Sequence, residues 1–177
     1  MARTSSSIAN IRASLEKKGL QSPTRYSVEF INVPGDADSP HDNDFYIHSI
    51  AVPGREMLHH VDEIWGPPRM VPIKRTFNSA IVINFIVEKE WDMRKFFEGW
   101  MDQCVSPTTN FRGDYMQIHR TSMKIYALNK QTDEPVMTMT VKEPYPHTIM
   151  PLNMGQDMIS AFTTFQVSFA YREYIIT

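Results

Sequence analysis

The sequence predicts a mainly β (α+β) fold: a sandwich or barrel with one flanking helix and a second, short helix at the N-terminus. Three observations carry that prediction. Ser79–Glu88 alternates apolar residues as a core strand. Met123–Leu128 and Val136–Val141 alternate on either side of the polar turn Asn129–Glu134. Near the C-terminus, Phe162–Tyr174 runs as a long alternating aromatic stretch, which places the end of the chain in a sheet.

Ser5, Ser6 and Ser7 are candidate caps for a helix over residues 5–20; Ile8, Ile11 and Leu15 share its face and Gly19 ends it. Residues 1–22 then form an N-terminal arm and 23–177 the β domain. Pro23 resets the backbone before the alternating strand Tyr26–Phe30. Pro34–Asp44, with Gly35 and several aspartates, is a polar loop. Phe45–Val52 is a strand broken by Pro53-Gly54. Over residues 55–68, Met57, Leu58, Val61, Ile64 and Trp65 fit a helical face as well as an irregular hairpin. The strand-like Met70–Lys74 that follows favours the hairpin, projecting over residues 53–72.

Ser79–Glu88 places Ile81, Ile83, Phe85 and Val87 on one face and Ala80, Val82 and Ile86 on the other. A strand apolar on both sides is expected to be covered on both. Trp91–Cys104 reads as the flanking helix, because Trp91, Met93, Phe96, Phe97, Trp100, Met101 and Cys104 make a broad stripe. Asp92 complements the helix dipole in its first turn, and Pro107 stops continuation. After the second hairpin, Tyr145-Pro146 reads as a corner before a single closing strand.

Composition bounds the function. The chain has 177 residues, enough for one domain with a real core. A formal net charge of −2 argues against general nucleic-acid binding, which needs a basic surface to release phosphate counterions. The single cysteine, Cys104, rules out an intrachain disulfide and reads as a buried apolar residue. No apolar run reaches membrane-span length, and Met1–Ser7 lacks a signal peptide's hydrophobic region. The expectation is a protein made in a cytoplasm, with no membrane association.

Residue patterns that carry chemistry are few. His59 and His60 are neighbours, so a strand points them to opposite faces; with His41, Asp42 and Asp62 they reach a common metal only through folding. Solvated loop residues are the stronger reading. Glu88, Glu90 and Asp92 suit a helix N-terminus better than an acid–base pair. Gly54 and Gly66 are isolated and form no phosphate cradle, and no serine sits in a nucleophile elbow. Arg69, Lys74 and Arg75 beside Phe77 better suit a solvent- or subunit-facing strand edge than a nucleic-acid site. No catalytic residue, metal or cofactor is expected.

The order of elements resembles the tail tube proteins of contractile-tailed bacteriophages, related in fold to the type VI secretion tube protein. The resemblance runs from Ile8 onward. It rests on the N-terminal helix, the strand Arg25–Ile31, the Pro-Gly turn Ala51–Gly54, a projecting loop and the strand Ser79–Val87. It continues through the Trp-bearing helix segment Phe96–Trp100, a hairpin, Tyr145-Pro146 and terminal aromatics at Phe169, Tyr171 and Tyr174. The acidic Pro34–Asp44 loop is longer than the family's compact members need.

This resemblance implies hexameric rings of identical copies, stacked into a virion tail tube assembled in the bacterial host cytoplasm. It also implies tail sheath, baseplate and tape-measure proteins as partners, and DNA passing through without specific binding. Few Lys or Arg side chains should therefore face the channel. A tube initiator or terminator of the same fold, a type VI tube protein, and a small β-barrel enzyme or ligand carrier are the alternatives. Intersubunit or inter-ring contacts are expected at Ile8, Ile11, Met57, Leu58, Val61, Ile64 and Trp65. The competing expectation is that the projecting segment folds over its own sandwich and the N-terminal helix caps its own barrel end.

Overall fold

The computed structural model describes residues 19–34, 46–77, 80–152, 154–155 and 162–177. The expected N-terminal helix, with Ile8 and Ile11, and nearly all of the acidic loop lie outside the described residues. In chain order the elements are β1 (Tyr26–Ile31), β2 (Ile47–Ala51), β3 (Glu56–Asp62), β4 (Arg69–Thr76), β5 (Ile81–Ile86), α1 (Asp92–Cys104) and α2 (Tyr115–His119). Then follow β6 (Ser122–Leu128), β7 (Pro135–Lys142), β8 (Tyr145–Ile149), β9 (Thr164–Ala170) and β10 (Glu173–Ile176).

Two four-stranded antiparallel sheets, β1-β6-β7-β10 and β2-β5-β9-β8, face each other across the core. Among the described residues, a third sheet consists of β3 and β4. Alternation explains the core: Ile81, Ile83 and Phe85 of β5 and Val167 and Phe169 of β9 are fully buried, as are Met123 of β6 and Val141 of β7. Helix α1 lies against the edge strand β8 and drives its apolar stripe between the sheets. Phe97 meets Phe30 of β1 at 5.9 Å, Phe85 of β5 at 4.8 Å and Phe169 of β9 at 5.7 Å. The helix thereby shields the β8 edge, which would otherwise expose unpaired backbone groups.

The N-terminus of α1 departs from a simple cap. Trp91 has a φ of 61°, and the Glu88 carboxylate accepts from the Met93 N–H at 3.1 Å. One of the three clustered acids thus serves the orphan donors of the first turn. The helix ends at Cys104, ahead of Pro107, because Val105 turns extended and bridges to Arg112.

Several expectations are corrected. Strand β5 is fully buried on one face, but on the other Val82, Asn84 and Ile86 are only half-buried among the described residues, because a two-layer sandwich gives each sheet one core side. Tyr145-Pro146 is not a corner but the start of β8; the chain turns at Glu143, which has a φ of 55°. Pro146 is tolerated because β8 is an edge strand, and the register slips between Pro146 and Thr148. The closing aromatic stretch is two strands in different sheets. β9 pairs with β5 and β8, then Tyr171-Arg172 carries the chain across so that β10 pairs with β7. Arg172 fixes this crossing, its N–H donating to the Lys142 carbonyl at 3.1 Å. The short helix α2 has no counterpart in the sequence reading; Asp114 caps it by accepting from the Met116 N–H at 3.0 Å.

Candidate assembly surface

The projecting segment is a two-stranded hairpin with an exposed apolar surface. Trp65 is 89% exposed and Ile64 79% in the turn, and Met57, Leu58 and Val61 on β3 are exposed as well. Strand alternation divides them. Met57 and Val61 share one face with Met70, which opposes Val61; Leu58 is on the other face, opposite Lys74. Ile64 and Trp65 sit together at the tip, where the Asp62 carboxylate accepts from the Ile64 N–H at 3.2 Å.

Met70, Val71 and Ile73 on β4 are exposed as well and extend the apolar surface over both faces, Met70 opposite Val61 and Val71 opposite His60; the contacts expected from the sequence did not include them. The apolar residues of the strand-like run Met70–Lys74 carry the signal for them. A bulge explains Ile73: the register passes from Lys74 opposite Leu58 to Pro72 opposite His59, so Ile73 is the extra residue. His59 and His60 alternate on β3 as expected, and no cluster of three metal-binding side chains occurs among the described residues.

A lone two-stranded hairpin is marginal in water and needs something to pack against. Its base supplies one anchor. The Arg55 guanidinium lies 4.4 Å from the Tyr174 ring centroid, and one of its nitrogens donates to the Tyr174 carbonyl at 2.8 Å. Phe77, just after β4, packs edge-on to Tyr174 at 5.4 Å and to Tyr171 at 6.4 Å. The Tyr174 hydroxyl donates to the Pro53 carbonyl at 3.3 Å. Both ends of the hairpin are therefore clamped to β10, while its length is exposed among the described residues.

A second feature lies at the C-terminal end of α1. Cys104, Val105, Arg112, His119 and Tyr145 line an open cavity of about 280 Å³. The loop forming its wall is held by backbone bonds: Ser106 N–H to the Phe111 carbonyl, Gly113 N–H to the Cys104 carbonyl, and the Val105–Arg112 bridge. Gly113 is required there, since a Cβ would strike the Gln103 carbonyl. Beneath it, His119 Nδ1 lies 2.6 Å from one Glu143 carboxylate oxygen, and Arg172 donates to the other at 2.8 Å. The Arg172 hydrogen bond, with help from His119, holds the Glu143 carboxyl below its ordinary range against the opposing effect of burial.

Cys104, His119 and Glu143 superficially suggest a nucleophile, base and orienting acid. The geometry departs from that arrangement. Cys104 and His119 share no hydrogen bond, and burial pushes the thiol's pKa up, which disfavours the reactive thiolate. What the described surface offers is an apolar projection and a preformed concavity.

The family model for phage tail tube proteins matches residues 9–177. Among solved structures, a chain of the sheath–tube complex of the extracellular contractile injection system PVC is similar at 13% identity with a TM-score of 0.60, covering 93% of this chain and 96% of that one. A chain of the same system's sheath/tube terminator is similar at 14% identity and a TM-score of 0.59, covering 86% and 93%. A chain of the anti-feeding prophage baseplate follows at 13% identity and a TM-score of 0.58, covering 86% and 92%. At such identities these likenesses speak for the fold alone, and no curated protein matches. The family match spans nearly the whole sequence, and the chain belongs to the phage tail tube protein family.

Proposed function

We propose that copies of this chain assemble into hexameric rings that stack as a tail tube, a conduit through which DNA leaves the virion. One observation carries the assembly reading: an apolar hairpin exposed along its length among the described residues, in a chain of the tail tube family. Burying Met57, Leu58, Val61, Ile64 and Trp65 against neighbouring copies removes that surface from water and gives the hairpin the support it lacks alone. A head-to-tail contact closes as a ring where its rotation permits and grows as a filament where it does not. Ile8 and Ile11 of the N-terminal arm form a second contact in this reading. Sheath, baseplate and tape-measure proteins are its further partners, and the virion tail, built in the host cytoplasm, its location.

The two main sheets differ in a way that bears on cargo. Strands β2, β5, β8 and β9 contain no Lys, Arg, Asp or Glu. The other sheet carries Glu29, Lys124, Lys142 and Glu173, with Lys142 and Glu173 paired at 2.8 Å. A wall that lets DNA slide must not hold phosphates, so the uncharged sheet is the one placed toward the channel. A basic ring lining the lumen of an assembled tube would contradict this.

A tube-end role is the second reading, because a terminator chain shares this fold at a TM-score of 0.59. Negative-stain microscopy of the purified protein separates the two: long tubes indicate the tube body, isolated rings the tube end, and monomers at high concentration neither. Leu58→Ser with Trp65→Ser tests the hairpin's role. Loss of tubes with an unchanged monomer fold is expected, and undiminished tube assembly would remove these residues from the interface.

A further inference from the structure

We infer that the cavity at the end of α1 is the receptor for the hairpin tip of a neighbouring copy, with Trp65 entering it and Glu63 meeting Arg112. The inference rests on the self-assembly proposed above and names the surface that the hairpin engages.

Size and polarity agree. The cavity, about 280 Å³, lies at the small end of ligand pockets and suits one large side chain better than a cofactor. Its surroundings are apolar and open: Val105, Phe111, Tyr115 and Met116 are all exposed beside it. Its wall is preformed by the backbone bonds of the 104–113 loop, so docking requires little ordering.

Charge agrees as well. Arg112 stacks on Tyr115 at 4.8 Å and has no carboxylate partner among the described residues. At the hairpin tip, Glu63 is exposed beside Trp65 and likewise has no basic partner among them. An exposed indole flanked by an unpaired carboxylate thus matches a concavity rimmed by an unpaired guanidinium stacked on a ring. The partner carboxylate completes a charge-assisted pair that neither copy makes alone.

The chain's own tip does not fill its own cavity. The hairpin is clamped at Arg55, and its seven-residue strand carries the tip on the order of 20 Å from that base. Trp65 remains 89% exposed. The occupant is a second copy, in a head-to-tail contact.

The test uses the full-length chain. Glu63→Lys and Arg112→Glu each reduce the assembled fraction, read by sedimentation and microscopy, by about tenfold, and the double variant restores it. Ile64→Cys adds an independent readout. Oxidised with copper-phenanthroline, it links to Cys104 of the next copy and gives a ladder on non-reducing gels, which Cys104→Ser abolishes. Tubes that form in both charge variants, with no Cys104-dependent ladder, overturn the cavity assignment while leaving tube assembly intact. A wild-type protein that never assembles overturns both.

Discussion

The sandwich and the β3–β4 hairpin are built from the same kinds of residue and end in opposite environments. In the sandwich, Ile81, Ile83 and Phe85 are fully buried, whereas Ile64, Trp65 and Met70 in the hairpin are largely exposed. Apolar content alone does not make a core; it needs a second apolar face at the right distance. The sandwich has that face within one chain, together with α1. Among the described residues the hairpin has only its basal clamp. It also shows the features that restrain indiscriminate pairing, namely a bulge at Ile73, Pro72 on β4, and the charges of Arg69, Lys74 and Arg75.

The contrast is broken most forcefully by exchanging what each region depends on. Phe97→Ala should destabilise the monomer by about 3–5 kcal/mol in urea unfolding, because the ring is fully buried among five other phenylalanines. Leu58→Ser with Trp65→Ser should shift the same midpoint by no more than about 0.5 kcal/mol while removing tubes. Equal effects on monomer stability would show that the hairpin belongs to the core after all.

Gly113→Ala probes the cavity wall. Its new methyl group meets the Gln103 carbonyl, and the loop must shift, at a cost of about 1–3 kcal/mol by chemical denaturation. Arg55→Ala sharpens the boundary between the regions. It removes a cation–π contact and a hydrogen bond at the hairpin base, worth about 1 kcal/mol together. Faster amide exchange over residues 56–76, with protection of β5 and β9 retained, is the expected pattern.

The smallest effect concerns pH. The Glu143 carboxyl is held below its ordinary value of 4.5, chiefly by Arg172 and then by His119. Its stabilisation is therefore complete above that value and is lost as pH falls through the lowered folded value. Glu143→Gln should be slightly less stable than wild type at neutral pH and show a shallower acid limb in thermal melts. An unchanged acid limb would locate the acid sensitivity elsewhere.

Legibility followed the range of the interactions involved. The alternation of Ile81, Ile83 and Phe85, the stripe of Met93, Phe96, Phe97 and Trp100, and the turn between β6 and β7 were readable because each pattern is local. The hairpin was readable through the strand-like run Met70–Lys74, since Gly66-Pro67-Pro68 would end a helix equally well. The crossing at Tyr171-Arg172 was not, since no glycine or proline interrupts the aromatic alternation there. Its bend is maintained by Lys142 and Glu143, about thirty residues away. Helix α2, at five residues, is too short to show a helical period. The cavity draws Cys104, His119 and Tyr145 from three separate segments, and no window of sequence contains it.

By itself, the amino-acid sequence determined the periods, the turns and the residues that must leave water, because those depend on neighbours a few positions apart. Tertiary structure alone decided which apolar faces found partners within the chain. It buried one side of β5, divided the closing stretch between two sheets, set the clamp at Arg55, and left the hairpin without a cover among the described residues. The physical reason is that burial depends on the surfaces two distant segments present to each other, and a strand's own alternation cannot specify which surface will be opposite.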